Sequence, residues 1–228
     1  MDKKTAAEIV SRLETVYPRA VCALEADGDP WRLLVMGRLS AQCTDARVNI
    51  VCQELFRRFP DARSMAECDI AELEEIVKPC GLFHVKAQNL KDASRMLVDD
   101  YGGILPDDME SLLKFPGVGR KIANLLLGDV FGKPAIVADT HCIRICGRLG
   151  FYPESLKDPL KVERILSGVI EPEKQSDFCH RLVNFGRDIC SARAPVCAAA
   201  AQKTKESLHE MKCPLAELCA HYRGNVIS

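Results

Sequence analysis

The sequence predicts an all-α protein, and three observations carry that prediction. Apolar residues recur at helical spacing along almost the whole chain of 228 residues. The stretches between them are short and carry Gly, Pro or Asp, as helix starts and stops do. No two alternating stretches are joined by the kind of turn that announces a β-hairpin.

Taken in order, "TAAEIVSRLETVY" places Ala6, Ile9, Val10, Leu13 and Val16 on one face. "PWRLLVMGRLSAQ" reads as a buried helix with Pro30 in its first turn. "TDARVNIVCQELFRRF" follows, with Asp45 expected to cap a helix running from Ala46. Next come "DIAELEEIV", "VKAQNLKDASRMLVDDY" and "DMESLLKF". "GRKIANLLLGDVF" ends at the stop pair Gly132 and Pro134. "KPAIVA" has the composition of a strand, but nothing nearby offers it a partner. "DTHCIRICGRL" opens with Asp139 as N-cap, and "LKVERILSGVI" and "SDFCHRLVNFGRDIC" complete the helical set.

The totals exclude several classes. The apolar and charged fractions, 47% and 28%, are ordinary for a soluble globular protein. No run approaches the roughly 18 apolar residues of a membrane span. Charges interrupt the first twenty residues, so no signal-peptide core stands there. A cytoplasmic chain with no membrane contact is expected. Its twelve cysteines then do not read as a disulfide framework, because cytosolic thiols stay reduced. Cys22, Cys43, Cys52, Cys68, Cys80, Cys142, Cys146 and Cys179 sit singly in apolar helical patterns and read as small buried hydrophobes. Cys190, Cys197, Cys213 and Cys219 form a separate group at C-x6-C-x15-C-x5-C. Four thiolates suit either a 4Fe–4S cluster or tetrahedral zinc. The net charge is −1, but residues 1–113 hold 14 Lys/Arg against 20 Asp/Glu and residues 114–228 hold 17 against 12. A basic face within a neutral protein can bind phosphates, and so can a solvated helix surface carry the same excess.

Between "DMESLLKF" and "GRKIANLLLGDVF" stands "PGVG". Two helices joined by so short a glycine turn form a tight hairpin, in which Gly117 and Gly119 let the backbone approach a neighbour closely. The second helix aims N–H groups outward from its first turn, which makes a phosphate seat.

"FPGVGRKIAN" followed by "FGKPAIVADTHCIRICGRLG" resembles the helix-hairpin-helix DNA glycosylases, in particular the endonuclease III-like branch. "LSAQCTDARVN" and "CGLFHVKAQNL" resemble two further segments of that family, so the likeness runs from about Pro30 to Cys219. It implies a two-lobed fold: residues 23–133 as a multi-helix domain ending in the hairpin, and residues 1–22 with 134–228 as an iron–sulfur domain. It implies a bifunctional DNA glycosylase and AP lyase of base excision repair, acting as a monomer on oxidised pyrimidines in damaged double-stranded DNA. Lys121 matches the catalytic lysine, whose amine attacks the sugar C1′ to form a Schiff base. Asp139 matches the catalytic carboxylate, a role compatible with capping. Gln42 and Leu82 match the pair inserted where the damaged nucleotide has left the stack. Gly117, Gly119 and Arg120 fall on the DNA-binding hairpin, and His141 on structural or DNA-side support. The same scaffold with another base preference, or a catalytically weak DNA-binding iron–sulfur module, are the alternatives.

The chain departs from the family at the four cysteines. Fifteen residues separate Cys197 from Cys213 where the family has two, so Ala200 stands at the usual third-ligand position. The outer spacings match, and an insertion still lets four thiolates converge on a 4Fe–4S cluster. Lys203, Lys205 and Lys212 in the enlarged 198–212 loop are then candidates for phosphate contact, and the loop itself for a protein partner. His209 and His221 are lesser ligand candidates. Arg38 and Pro79 are also unusual beside the family segments.

Overall fold

The computed structural model describes residues 1–19, 21–197 and 213–226, with side chains as far as Gly224. Ala200, Lys203, Lys205, His209 and Lys212 lie outside the described residues. Every regular element among the described residues is a helix. The chain divides into two compact units, Cys22–Lys133 and Met1–Val21 together with Pro134–Ser228.

The unit Cys22–Lys133 holds α2 (Pro30–Leu39), α3 (Asp45–Arg58), α4 (Ala62–Glu67), α5 (Ile70–Val77), α6 (Phe83–Tyr101), α7 (Met109–Leu112) and α8 (Arg120–Asp129). A 3-10 turn, Lys78–Cys80, carries Pro79 where its missing N–H does no harm. α2 is the axle, burying Trp31, Leu33, Leu34, Val35, Met36 and Leu39. A Cβ on Gly37 would lie 3.3 Å from Ile122 of α8, so the glycine sets how closely those helices meet. Trp31 donates its indole N–H to Ser94 at 3.3 Å and packs on Phe56, which ties α6 and α3 to the axle. The long α6 supports the short α4 and α5, and Lys91 reaches back to the Cys68 carbonyl at 2.5 Å.

The second unit holds α1 (Lys3–Val16), α9 (Thr140–Leu149), α10 (Pro159–Val169), α11 (Gln175–Asp188) and α12 (Ala220–Val226). Ile9 and Leu13 of α1, Cys142, Ile145 and Cys146 of α9, and Phe178, Leu182 and Phe185 of α11 make its core. A Cβ on Gly186 would come within 2.3 Å of His141 Nδ1, so α11 needs glycine where α9 crosses it. Arg181, almost fully buried, donates to the Tyr17 carbonyl and to Asp177 and faces Glu14, which pins α11 to α1.

Several boundaries differ from the sequence reading, each for a local reason. α2 stops at Leu39, three residues short of the helical stretch read from the sequence, and Gln42 stands in the loop that follows. Thr44 caps α3, accepting from Arg47 N, and Asp45 is the first helical residue instead of the cap. α11 ends at Asp188 because Ile189 leaves helical geometry, and Cys190 turns back to donate to Phe185 O at 2.8 Å. Val16 is exposed, one step past the buried face of α1. Cys22 and Cys43 are half-exposed loop residues and not core hydrophobes, unlike the other six of that group. The segment Ala135–Val137 is buried without forming a strand, its Val137 N–H going to the Cys179 thiol. α4 is absent from the sequence reading: its apolar stripe is too short to show periodicity, although Asp61 and Ser64 form a reciprocal capping box.

Candidate active site

The hairpin is built by what its glycines allow. Phe115 and Val118 point into the core, while Gly117 between them takes φ +78°. A Cβ there would lie 2.4 Å from Arg38 Nε and 2.7 Å from Asn89 Oδ1, so only glycine fits. Arg38 Nε donates to Asn89 Oδ1 at 3.0 Å, and this pair, from α2 and α6, underlies the turn. Arg38, unusual in the sequence, thus supports the hairpin.

Gly119 is the N-cap of α8 and supplies no side-chain cap. Asp or Thr caps α1 to α5, α7, α9 and α10, each accepting a helix N–H. The contrast matters because an Asp at this end would occupy and repel what an anion seeks. Lys121, in the first turn of α8, is exposed, with the half-exposed Arg120 before it.

Two further loops belong to the same unit. Gln42 has φ +55° and Leu82 φ +48°, two of the three non-glycine residues at positive φ among those described. Both are exposed, Leu82 to 58%. An apolar side chain held in water on a disfavoured backbone costs about 1–3 kcal/mol, and such outliers collect at functional sites. Leu82 is also the uncapped start of α6. At the base of these loops Lys86 is completely buried, its Nζ donating to Leu39 O at 2.8 Å and Cys80 O at 2.7 Å.

In the other unit, Asp139 caps α9 with Oδ1, which accepts from Cys142 N at 2.7 Å. The residue is half-buried and has the Arg144 guanidinium one turn further along the helix. His141 lies against Gly186, with Nδ1 3.3 Å from Arg144 Nη2.

Cys190, Cys197, Cys213 and Cys219 line one pocket with Leu149, Phe185, Ile189, Leu215 and Tyr222. Burial pushes the Cys213 thiol up to about 11, and the other three thiols push the same way. Cys219 is raised too, again chiefly by burial. Four sulfurs gathered in one apolar pocket are a donor set that a multivalent cation stabilises as thiolates. The donor set therefore fits an iron–sulfur cluster. Arg148 latches the pocket: Nη1 donates to Cys190 Sγ and Ser191 O, Nη2 to Ala192 O, and its carbonyl accepts from Cys219 Sγ. His221 lines the same pocket and pairs with Glu154 at 2.8 Å.

Sequence reasoning misses Lys86, the Arg38–Asn89 pair and Arg148. For Lys86 a signal exists: it shares the stripe of Leu90, Ala93 and Leu97 on α6. For the others there is none, since their partners are distant in the chain.

The family description "HhH-GPD superfamily base excision DNA repair protein" matches residues 35–172, more than half of the chain. Endonuclease III of Synechocystis sp. is 40% identical over 218 residues, covering 95% of this chain and 92% of that protein. Among solved structures, a non-covalent endonuclease III–DNA complex aligns with TM-score 0.87 at 35% identity over 100% of both chains. A trapped endonuclease III–DNA covalent intermediate aligns with TM-score 0.86 at 36% identity over 98% of both. The chain belongs to the HhH-GPD superfamily of base excision DNA repair proteins and, within it, to the endonuclease III family of DNA glycosylases with AP lyase activity.

Proposed function

We propose that this protein removes oxidised pyrimidines from duplex DNA and then cuts the strand, with Lys121 as nucleophile and Asp139 as the assisting carboxylate. The observation that carries the reading is Lys121 itself, exposed in the first turn of a helix left without a side-chain cap. The likeness to a trapped covalent intermediate supports covalent chemistry of this kind. The Lys121 amine attacks C1′, the base leaves with its electron pair and a proton, and ring opening gives the iminium. That imine acidifies the 2′ hydrogen, whose removal expels the 3′ phosphate by β-elimination. Asp139 stabilises the cationic sugar or relays a proton through its carboxylate while Oδ1 continues to cap α9.

Gly117, Gly119 and Arg120 hold a DNA phosphate at the start of α8, where helix dipole and basic side chain act together. Leu82 fills the gap left by the extruded nucleotide, and Gln42 hydrogen-bonds the orphaned base; their exposure and backbone geometry support these roles. Cys190, Cys197, Cys213 and Cys219 hold the 4Fe–4S cluster, which when bound ties the ends of the C-terminal segment together. Metal analysis that finds zinc in place of iron and sulfide overturns that assignment. The enzyme acts as a monomer; the contribution of the 198–212 loop to DNA or a partner is read by its deletion.

Borohydride trapping tests the reaction on duplexes carrying thymine glycol, 5-hydroxycytosine, uracil opposite guanine, or an abasic site. A covalent band on the oxidised pyrimidines, absent in Lys121→Ala, is expected. A band on uracil alone or on the abasic site alone overturns the substrate assignment. No band on any duplex overturns the role of Lys121.

A further inference from the structure

The most unusual charge in the unit Cys22–Lys133 is Lys86. It is completely buried on the core-facing stripe of α6, where leucine is the ordinary occupant. Burial pushes its ammonium below the usual lysine range, so the position costs stability unless the charge is well hydrogen-bonded. Both acceptors are backbone carbonyls. Leu39 O is the last carbonyl of α2, and Cys80 O closes the 3-10 turn before α6. A cation at the C-terminal end of a helix is favoured by the dipole, and two buried carbonyls gain a partner.

The positions of those carbonyls give the lysine its significance. Three residues beyond Leu39 stands Gln42, and two beyond Cys80 stands Leu82, both exposed and both at positive φ. One ammonium therefore joins the base of the loop that presents Gln42 to the base of the loop that presents Leu82. One turn further along α6, Asn89 accepts from Arg38, which also packs under Gly117 of the hairpin. Three separated segments thus meet on the end of α2 and the start of α6.

We propose that Lys86 is a positioning residue for interrogation of duplex DNA, holding the Gln42 and Leu82 loops at the spacing needed to enter the helix together. The proposal rests on the reading of those two residues as the inserted pair. Lys86 touches neither the sugar nor the base; its effect passes through the two loops.

The test compares single-turnover rates on two substrates, a duplex carrying an oxidised pyrimidine and a single strand carrying an abasic site. The single strand has no stack to open and needs only the lysine chemistry. Lys86→Met keeps the length and loses the donors. Its duplex rate should fall on the order of 100-fold, the scale of a misplacement of about 1 Å, while the single-strand rate stays within about threefold. On a Leu82→Ala background the same substitution should add much less, since both act on one step. Should Lys86→Met not yield folded protein, Lys86→Gln, with amide donors on a shorter side chain, carries the same comparison. Equal losses on both substrates mean a general structural fault and overturn the proposal, as does an unchanged duplex rate. Gln42→Ala and Leu82→Ala are measured alongside. If neither slows duplex processing, the insertion reading fails; if both do and Lys86→Met does not, the positioning role alone fails.

Discussion

Leu82 and Gly117 both sit at positive φ, and they respond to substitution in opposite ways. For Leu82 the left-handed backbone is a strain that glycine relieves. Leu82→Gly should leave stability unchanged or raise it by up to about 1 kcal/mol, because the loop no longer forces a side chain into that region. Duplex processing should drop with it; thermal unfolding and trapping on one preparation check both halves. Gly117 has the reverse problem, since a Cβ meets Arg38 and Asn89 as well as the unfavourable φ. Gly117→Ala should cost about 2 kcal/mol from backbone and clash together, lowering Tm by roughly 4–8 °C in a chain of this size. The glycine motif is legible in the sequence, but the different duties of its two glycines are not. A Cβ on Gly119 would meet nothing within 4 Å, and its φ is not positive, so its value lies at the helix end.

Helix ends divide the elements by task. Asp2, Asp61 and Asp108 accept N–H bonds from the first turns of α1, α4 and α7, which holds each carboxyl below its ordinary range. As pH falls the unfolded chain takes up those protons first, so their contribution is complete above about pH 4 and disappears through the lower folded values. Tm followed by circular dichroism should be flat near neutrality and decline below about pH 4, less steeply in Asp61→Asn. α8 lacks such a cap. Gly119→Asp should add a few tenths of a kcal/mol by supplying one, yet weaken duplex binding about tenfold or more through repulsion of the phosphate. An equilibrium titration with unmodified duplex, beside a melting curve, reads both changes. Most helices are legible because caps and apolar spacing are local; α4 and the end of α2 are not, because tertiary packing decides short elements and last turns.

At the scale of the molecule, the cysteine pocket brings together pieces of chain that are distant in sequence. Cys190 and Cys197 follow α11, while Cys213 and Cys219 precede α12, and Arg148 of α9 joins the two pairs. On the proposed cluster assignment, Cys213→Ser should abolish iron binding and make residues 213–226 the first segment cut in limited proteolysis, since a cluster shared by the four cysteines would tie that segment down. Intact protease resistance in an iron-free variant would contradict it. The amino-acid sequence by itself determined the all-helical class, the hairpin, the outer cysteine spacings and the family, because each depends on residues adjacent in the chain. Only the tertiary structure decided that Gln42 and Leu82 are strained and exposed, that Lys86 joins their loops, and that Arg38 lies under Gly117. The reason is physical: backbone strain and buried polar partners are set by neighbours tens of residues away, and local propensity carries no record of them.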